Sequence, residues 1–161
     1  MTRPRQNATE AVPETVKELR SRAIKLLARR EHSHVELARK LSRYGAEEDI
    51  QIVLADLQTR GLLSDARYAE AYVRSNGARF GAAKLRQTLR AKGIDAELVA
   101  HQLASADLPD ELERARDIWA RKFASPPADA REWARQARFI QSRGFSTDII
   151  RRLLKGVEGS E

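Results

Sequence analysis

The sequence predicts an all-α protein, an elongated, curved tandem array of three three-helix repeats, each resembling a helix-turn-helix. Three observations carry that prediction. Ala, Leu, Arg, Glu and Lys fill the periodic segments, in keeping with their helix propensities, and apolar/polar alternation of strand length is absent. Apolar residues recur three and four positions apart, which draws one stripe along a helix. Finally, Gly45, Gly93 and Gly144, spaced 48 and then 51 positions apart, each stand between two such helices. Four residues before them are Leu41, Leu89 and Ile140; one after are Ala46, Ile94 and Phe145; five after are Ile50, Leu98 and Ile149. A glycine flanked by the same apolar offsets at a near-constant period marks a tandem helical repeat. A single three-helix unit buries little surface, so stacked neighbours share faces.

The first repeat opens with a helix over Glu14–Arg30, with Val16, Leu19, Ala23, Leu26 and Leu27 on its stripe. Ser33 caps the second helix and, with Glu36 three residues on, gives the capping-box pattern. Leu37 and Leu41 face inward as far as Tyr44, where Gly45 is expected to supply a left-handed stop. The third helix spans Glu47–Arg60, with Ile50, Val53, Leu54 and Leu57 inward, and Gly61 ends it. The second repeat starts at Leu62: Ser64 or Asp65 caps a helix with Ala69, Tyr72 and Val73 inward, and SNGARFG turns the chain. A helix over Ala82–Lys92 buries Leu85 and Leu89, Gly93 stops it, and Asp95 caps a helix with Leu98, Val99 and Leu103. Pro109, as a first-turn residue, opens the third repeat. Its stripe is Leu112, Ala115, Trp119 and Phe123, and SPPADA breaks it. A helix from Asp129 with Trp133, Ala137 and Ile140 reaches Gly144, and one over Ser146–Lys155 buries Ile149, Ile150, Leu153 and Leu154. The expected organisation is a disordered arm over 1–13, repeats over 14–61, 62–107 and 108–156, and a flexible tail over 157–161.

Bulk properties narrow the function. Thirty Lys and Arg against 23 Asp and Glu give a net charge of +7, which favours a polyanion or an acidic protein surface as partner. There is no cysteine, which excludes disulfides and thiolate metal sites and fits a reducing compartment. No apolar run approaches the ~20 residues of a membrane span. The N-terminal MTRPRQNATEAVPE lacks the apolar core of a secretory signal. A cytoplasmic location follows as the expectation.

The cations concentrate on the middle helix of each repeat. Lys84, Arg86, Arg90 and Lys92 lie on the second repeat's middle helix, where no acid occurs, and Arg79 lies just before it. Arg86 and Arg90, four apart and off the Leu85/Leu89 stripe, share an exposed flank. Arg39 and Arg43 in the first repeat, and Arg135 and Arg138 in the third, extend the pattern. One basic helix per repeat suits phosphates or an acidic groove. Base-specific reading fits less well, since the third helices begin EEDIQ, DAELV and STDII, and acids at a recognition-helix start meet phosphate unfavourably. Trp119, Trp133, Tyr68 and Tyr72 fall at core spacing. His32 and His34 lack the further ligands a metal site needs, and no phosphate loop or nucleophile motif appears. No cofactor, metal or catalytic residue is expected.

LRSRAIKLLARREHSHVELARKL, GLLSDARYAEAYVRS and LRAKGIDAELV resemble the bacterial RecX family of recombination regulators, and the resemblance runs from Val16 to Leu154. A non-enzymatic, cofactor-free monomer is expected, and the resemblance implies a protein that binds the RecA recombinase and its filament on single-stranded DNA. There it would lodge in the filament groove or block growth, suppressing ATP hydrolysis, strand exchange and co-protease activity. SPPADA departs from the shorter REHS and ARFG turns. Charge and periodicity by themselves leave two other readings open: a non-specific DNA-binding module that competes for DNA, and a scaffold for another acidic protein.

Overall fold

A computed structural model of the chain describes residues 11–158, with side chains through residue 155. Among the described residues there are nine α-helices and no strand. The chain divides into two compact units, one ending at Leu63 and one beginning at Ser64.

The first unit holds α1 (Val16–Arg29), α2 (His34–Leu41) and α3 (Glu47–Thr59). Thr15 starts α1 with a reciprocal cap: its hydroxyl accepts from the Glu18 amide at 3.3 Å, and its own amide donates to the Glu18 carboxylate at 2.8 Å. Two otherwise orphaned amides are thereby satisfied. Leu19 and Ala23 on α1, Leu37 and Leu41 on α2, and Ile50, Val53, Leu54 and Leu57 on α3 form one sealed core. Each fully buried leucine contributes about 1.5–3 kcal/mol relative to exposure. Leu63, read from the sequence as part of the second repeat, also packs into this core. Gly61, at φ +72°, ends α3 as expected, and the Leu62 amide reaches back to the Leu57 carbonyl at 2.9 Å.

Gly45 corrects the sequence reading. Its φ is not positive, α2 already ends at Leu41, and Ala46 after it is an exposed cap rather than a core residue. The glycine is required for space instead: a β-carbon there would lie 2.6 Å from Leu19 Cδ1. Closeness of α1, not backbone handedness, holds the position.

The second unit holds α4 (Asp65–Asn76), α5 (Ala82–Ala91), α6 (Ala96–Ser105), α7 (Glu111–Lys122), α8 (Ala130–Ser142) and α9 (Thr147–Glu158). Ser64, Asp95, Asp110 and Asp129 cap α4, α6, α7 and α8 with side-chain oxygens. Pro109 therefore lies before the cap of α7 and not in its first turn. Tyr68, Ala69, Val73, Leu89, Ile94 and Val99 make one core; Ala115, Ile118, Ile140, Phe145, Ile150, Leu153 and Leu154 belong to the next. Gly93 and Gly144, which the sequence reads as helix stops between paired helices, have φ +83° and +90° and so take the left-handed conformation.

These two cores are locked by backbone contact. The Gly81 amide donates to the Arg143 carbonyl at 2.8 Å and the Ala83 amide to the Gly144 carbonyl at 3.2 Å. Buried Arg114 on α7 reaches the turn between α4 and α5, its Nη1 donating to the carbonyls of Gly77 at 2.6 Å and Phe80 at 3.0 Å. Glu111 Oε1 accepts from the Ala82 amide, at the start of α5, at 3.0 Å. Of the expected arm, residues 1–10 lie outside the described residues, and Ala11–Pro13 are exposed and irregular. Of the expected tail, residues 157–158 belong to α9, and 159–161 lie outside the described residues.

Candidate interaction surface

The eight predicted basic residues divide into two groups. Arg39, Arg43, Arg86 and Arg138 are exposed, and among the described residues no carboxylate pairs with them. The other four also make contacts within the protein. Lys84 lays its ammonium 4.7 Å from the centre of the Phe80 ring. Arg90 donates to the Ile94 carbonyl at 3.1 Å, closing the turn after α5. Arg135 grips Glu132 through two hydrogen bonds of 2.8 and 3.0 Å and stands 5.2 Å over the Phe123 ring. That pairing holds the Glu132 carboxyl below its ordinary range. Lys92 is half-buried and engaged by a neighbour.

In the first unit Arg39 and Arg43 line a cleft of ≈430 Å³ with Arg22 and Lys40. Arg22 is held by Glu14 and covers the Tyr44 ring at 3.6 Å. Lys40 turns to His32, its Nζ 3.0 Å from the ring Nε2. The outward charge of that cleft therefore comes chiefly from Arg39 and Arg43.

His32 is buried, with Nδ1 3.0 Å from the Arg30 carbonyl. Burial lowers its pKa, with Arg30 and Lys40 opposing the charged form further. Both ring nitrogens of His32 are therefore engaged within the protein. Glu36, beside it, is held below its ordinary range by two hydrogen bonds from Arg30.

Sequence reasoning missed three features. Gln136 is buried on α8, accepting from Trp119 Nε1 at 2.8 Å and donating to the Ser125 carbonyl at 3.2 Å. It fastens the SPPADA turn to the α7/α8 pair. Buried Arg114 reads in the sequence as one more surface arginine. Phe80 and Phe139 serve as ring faces for cations, a role that no pattern in the sequence marks.

Three family models match in tandem order: the first three-helix domain of RecX over residues 15–57, the second over 64–103 and the third over 109–154. The chain is 52% identical over 138 residues to regulatory protein RecX of Leptothrix cholodnii, covering 85% of this chain and 87% of that one. The chain belongs to the RecX family. It is also 45% identical to regulatory protein RecX of Pseudomonas fluorescens over 91% of this chain and 96% of that one. The crystal structure of RecX from Lactobacillus salivarius superposes with a TM-score of 0.74 at 22% identity, over 89% of this chain and 96% of that one. A second RecX crystal structure gives 0.72 at 23% identity, over 86% and 70%. The solved RecX structures share the fold of tandem three-helix domains. Among the described residues no helix is long and apolar enough to cross a membrane.

Proposed function

We propose that this RecX-family chain is a regulator of RecA, acting in the cytoplasm as a monomer on the filament that RecA forms on single-stranded DNA. It suppresses filament extension, ATP hydrolysis, strand exchange and co-protease activity. The observation that carries this reading is the match of all three RecX domains, in order, along one chain. The exposed, unpaired Arg39, Arg43, Arg86 and Arg138 support a contact made by charge. Lys84, Arg90, Lys92 and Arg135, each also in contact within the protein, add to the charge of the same surface. Contacts spread over both units touch more than one RecA subunit, in the filament groove or at its growing end.

Co-sedimentation with RecA already assembled on single-stranded DNA, with no free DNA left, tests the reading. The wild-type chain is expected to pellet with the filament. Neutralising Arg39, Arg43, Arg86 and Arg138 together is expected to weaken binding and flatten its salt dependence, leaving stability within about 1 kcal/mol, the scale of surface changes. A chain that binds bare DNA and ignores the filament is instead a competing DNA-binding module.

A further inference from the structure

Between the α4–α5 turn, α7 and α8 lies a cleft of ≈310 Å³ whose walls include Arg79, Arg121, Lys122 and Arg143 around Phe139. None of its lining residues is acidic. Among the described residues no carboxylate pairs with any of the four cations. Four positive charges gathered this closely repel one another, so the empty cleft favours an occupant that carries several negative charges.

The cleft is also ordered in advance. Lys122 and Arg143 stand 5.7 and 5.2 Å from the centre of the Phe139 ring, and Arg79 stands 5.5 Å from that of Phe80. Cation–π contact of this kind restrains the long side chains while leaving their N–H groups available. The walls are tied to one another as well: Arg114 binds the carbonyls on either side of Arg79, and Gly81 binds the carbonyl of Arg143. A site whose cations are already held loses less freedom on binding.

We propose that this cleft is a phosphate-binding site for single-stranded nucleic acid, with Arg121 and Arg143 as its principal contacts. Three of its four cations are arginines, whose planar fork matches phosphate oxygens in pairs. The four cations come from the α4–α5 turn, α7 and the residue that ends α8, around one concave patch, and a flexible single strand can bend successive phosphates into such a patch more readily than a stiff duplex can. No set of buried polar groups reads a base edge, so binding is independent of sequence. The site is distinct from the flank carrying Arg86 and does not rest on the regulator reading, because it binds nucleic acid without RecA.

The experiment is a fluorescence-anisotropy titration of labelled oligothymidylate, without RecA, at several salt concentrations. R121Q/R143Q is expected to weaken binding at least tenfold near 0.1 M salt. It is also expected to reduce the slope of log affinity against log salt by about 1.4, at roughly 0.7 per single-strand phosphate contact. R151Q/R152Q, exposed on α9 and outside the cleft, removes the same charge and is expected to change affinity less than threefold. Circular dichroism confirms that both variants fold. Equal losses in the two variants would overturn the proposal in favour of a diffuse charge effect, as would a wild-type protein that does not bind. Displacement of the strand by ATP or oligoglutamate at matched charge would overturn it too, in favour of a free nucleotide or an acidic peptide.

Discussion

Three glycine-to-alanine substitutions separate the two reasons a chain needs glycine, and together they test the lock inside the second unit. Gly61 has φ +72° and nothing within 4 Å of where a β-carbon would stand, so alanine meets only the left-handed backbone cost. That is about 1 kcal/mol. Gly81 is the converse: φ is −75°, but a β-carbon would lie 2.6 Å from the Gly144 carbonyl carbon and 2.8 Å from the Phe145 nitrogen. Those are backbone atoms and cannot rotate away. The approach is roughly 0.8 Å short of ordinary contact, an overpacking worth about 1–3 kcal/mol. Relief separates the segments whose hydrogen bonds run from Gly81 to Arg143 and from Ala83 to Gly144, at about 1 kcal/mol each. Gly81→Ala is therefore expected to cost about 2–4 kcal/mol. Gly144 carries both burdens, with φ +90° and a β-carbon 2.6 Å from the Lys84 nitrogen, so alanine there costs about 3–5 kcal/mol. Because the two sites open the same seam, the double variant costs less than their sum. Urea unfolding followed by tryptophan fluorescence reads the second unit alone, since Trp119 and Trp133 are the only tryptophans. Circular dichroism reads Gly61→Ala. A Gly81→Ala midpoint indistinguishable from wild type would refute the backbone seam.

Arg114→Met keeps an unbranched apolar stem in the buried position and removes the hydrogen bonds to the Gly77 and Phe80 carbonyls. It is expected to destabilise the tryptophan-detected transition by about 2–4 kcal/mol, since two buried acceptors lose their donor; a change below about 0.5 kcal/mol would mean that the arginine is a passenger. His32 makes the first unit sensitive to acid. Its folded pKa lies below the ordinary value near 6.5, so the unfolded chain binds the proton more readily. Stability is then full above about pH 6.5 and declines as pH falls from there toward the folded pKa, by at most about 1.4 kcal/mol per unit. Glu36, also lowered, adds a separate loss below its ordinary range near 4.5. Urea midpoints between pH 5 and 8 should slope in the wild type and flatten in His32→Gln. An equal slope in both would place the titration elsewhere.

Where the sequence was legible, a local rule sufficed. Helix periodicity located the nine helices of the described residues to within a few positions, because Leu, Ile, Val and Ala at three- and four-residue spacing can be buried on only one face. Ser33 and Asp95 announced their caps through side chains that satisfy free amides. Gly93 and Gly144 announced the ends of their helices. What failed depended on residues distant in the chain. Gly45 aligns with the other hinges yet is set by Leu19, 26 residues earlier. Buried Arg114 and Gln136 are indistinguishable by pattern from neighbours that face water, because their partners are carbonyls brought close only by tertiary packing. The basic surface was half legible for the same reason. Composition put the cations on the middle helices, but not which were committed to Glu132, Ile94 or the Phe80 ring. Nor could it show that Arg121 and Lys122 on α7 would meet Arg143 from α8.

The most direct test of the regulator reading is the rate of ATP hydrolysis by preformed RecA filaments on single-stranded DNA as this chain is added far below the concentration of DNA sites. The account predicts strong inhibition at such substoichiometric amounts, because one bound molecule blocks growth or engages several subunits. Inhibition that sets in only when the protein can coat the DNA would contradict it and leave a protein that acts by occupying the strand.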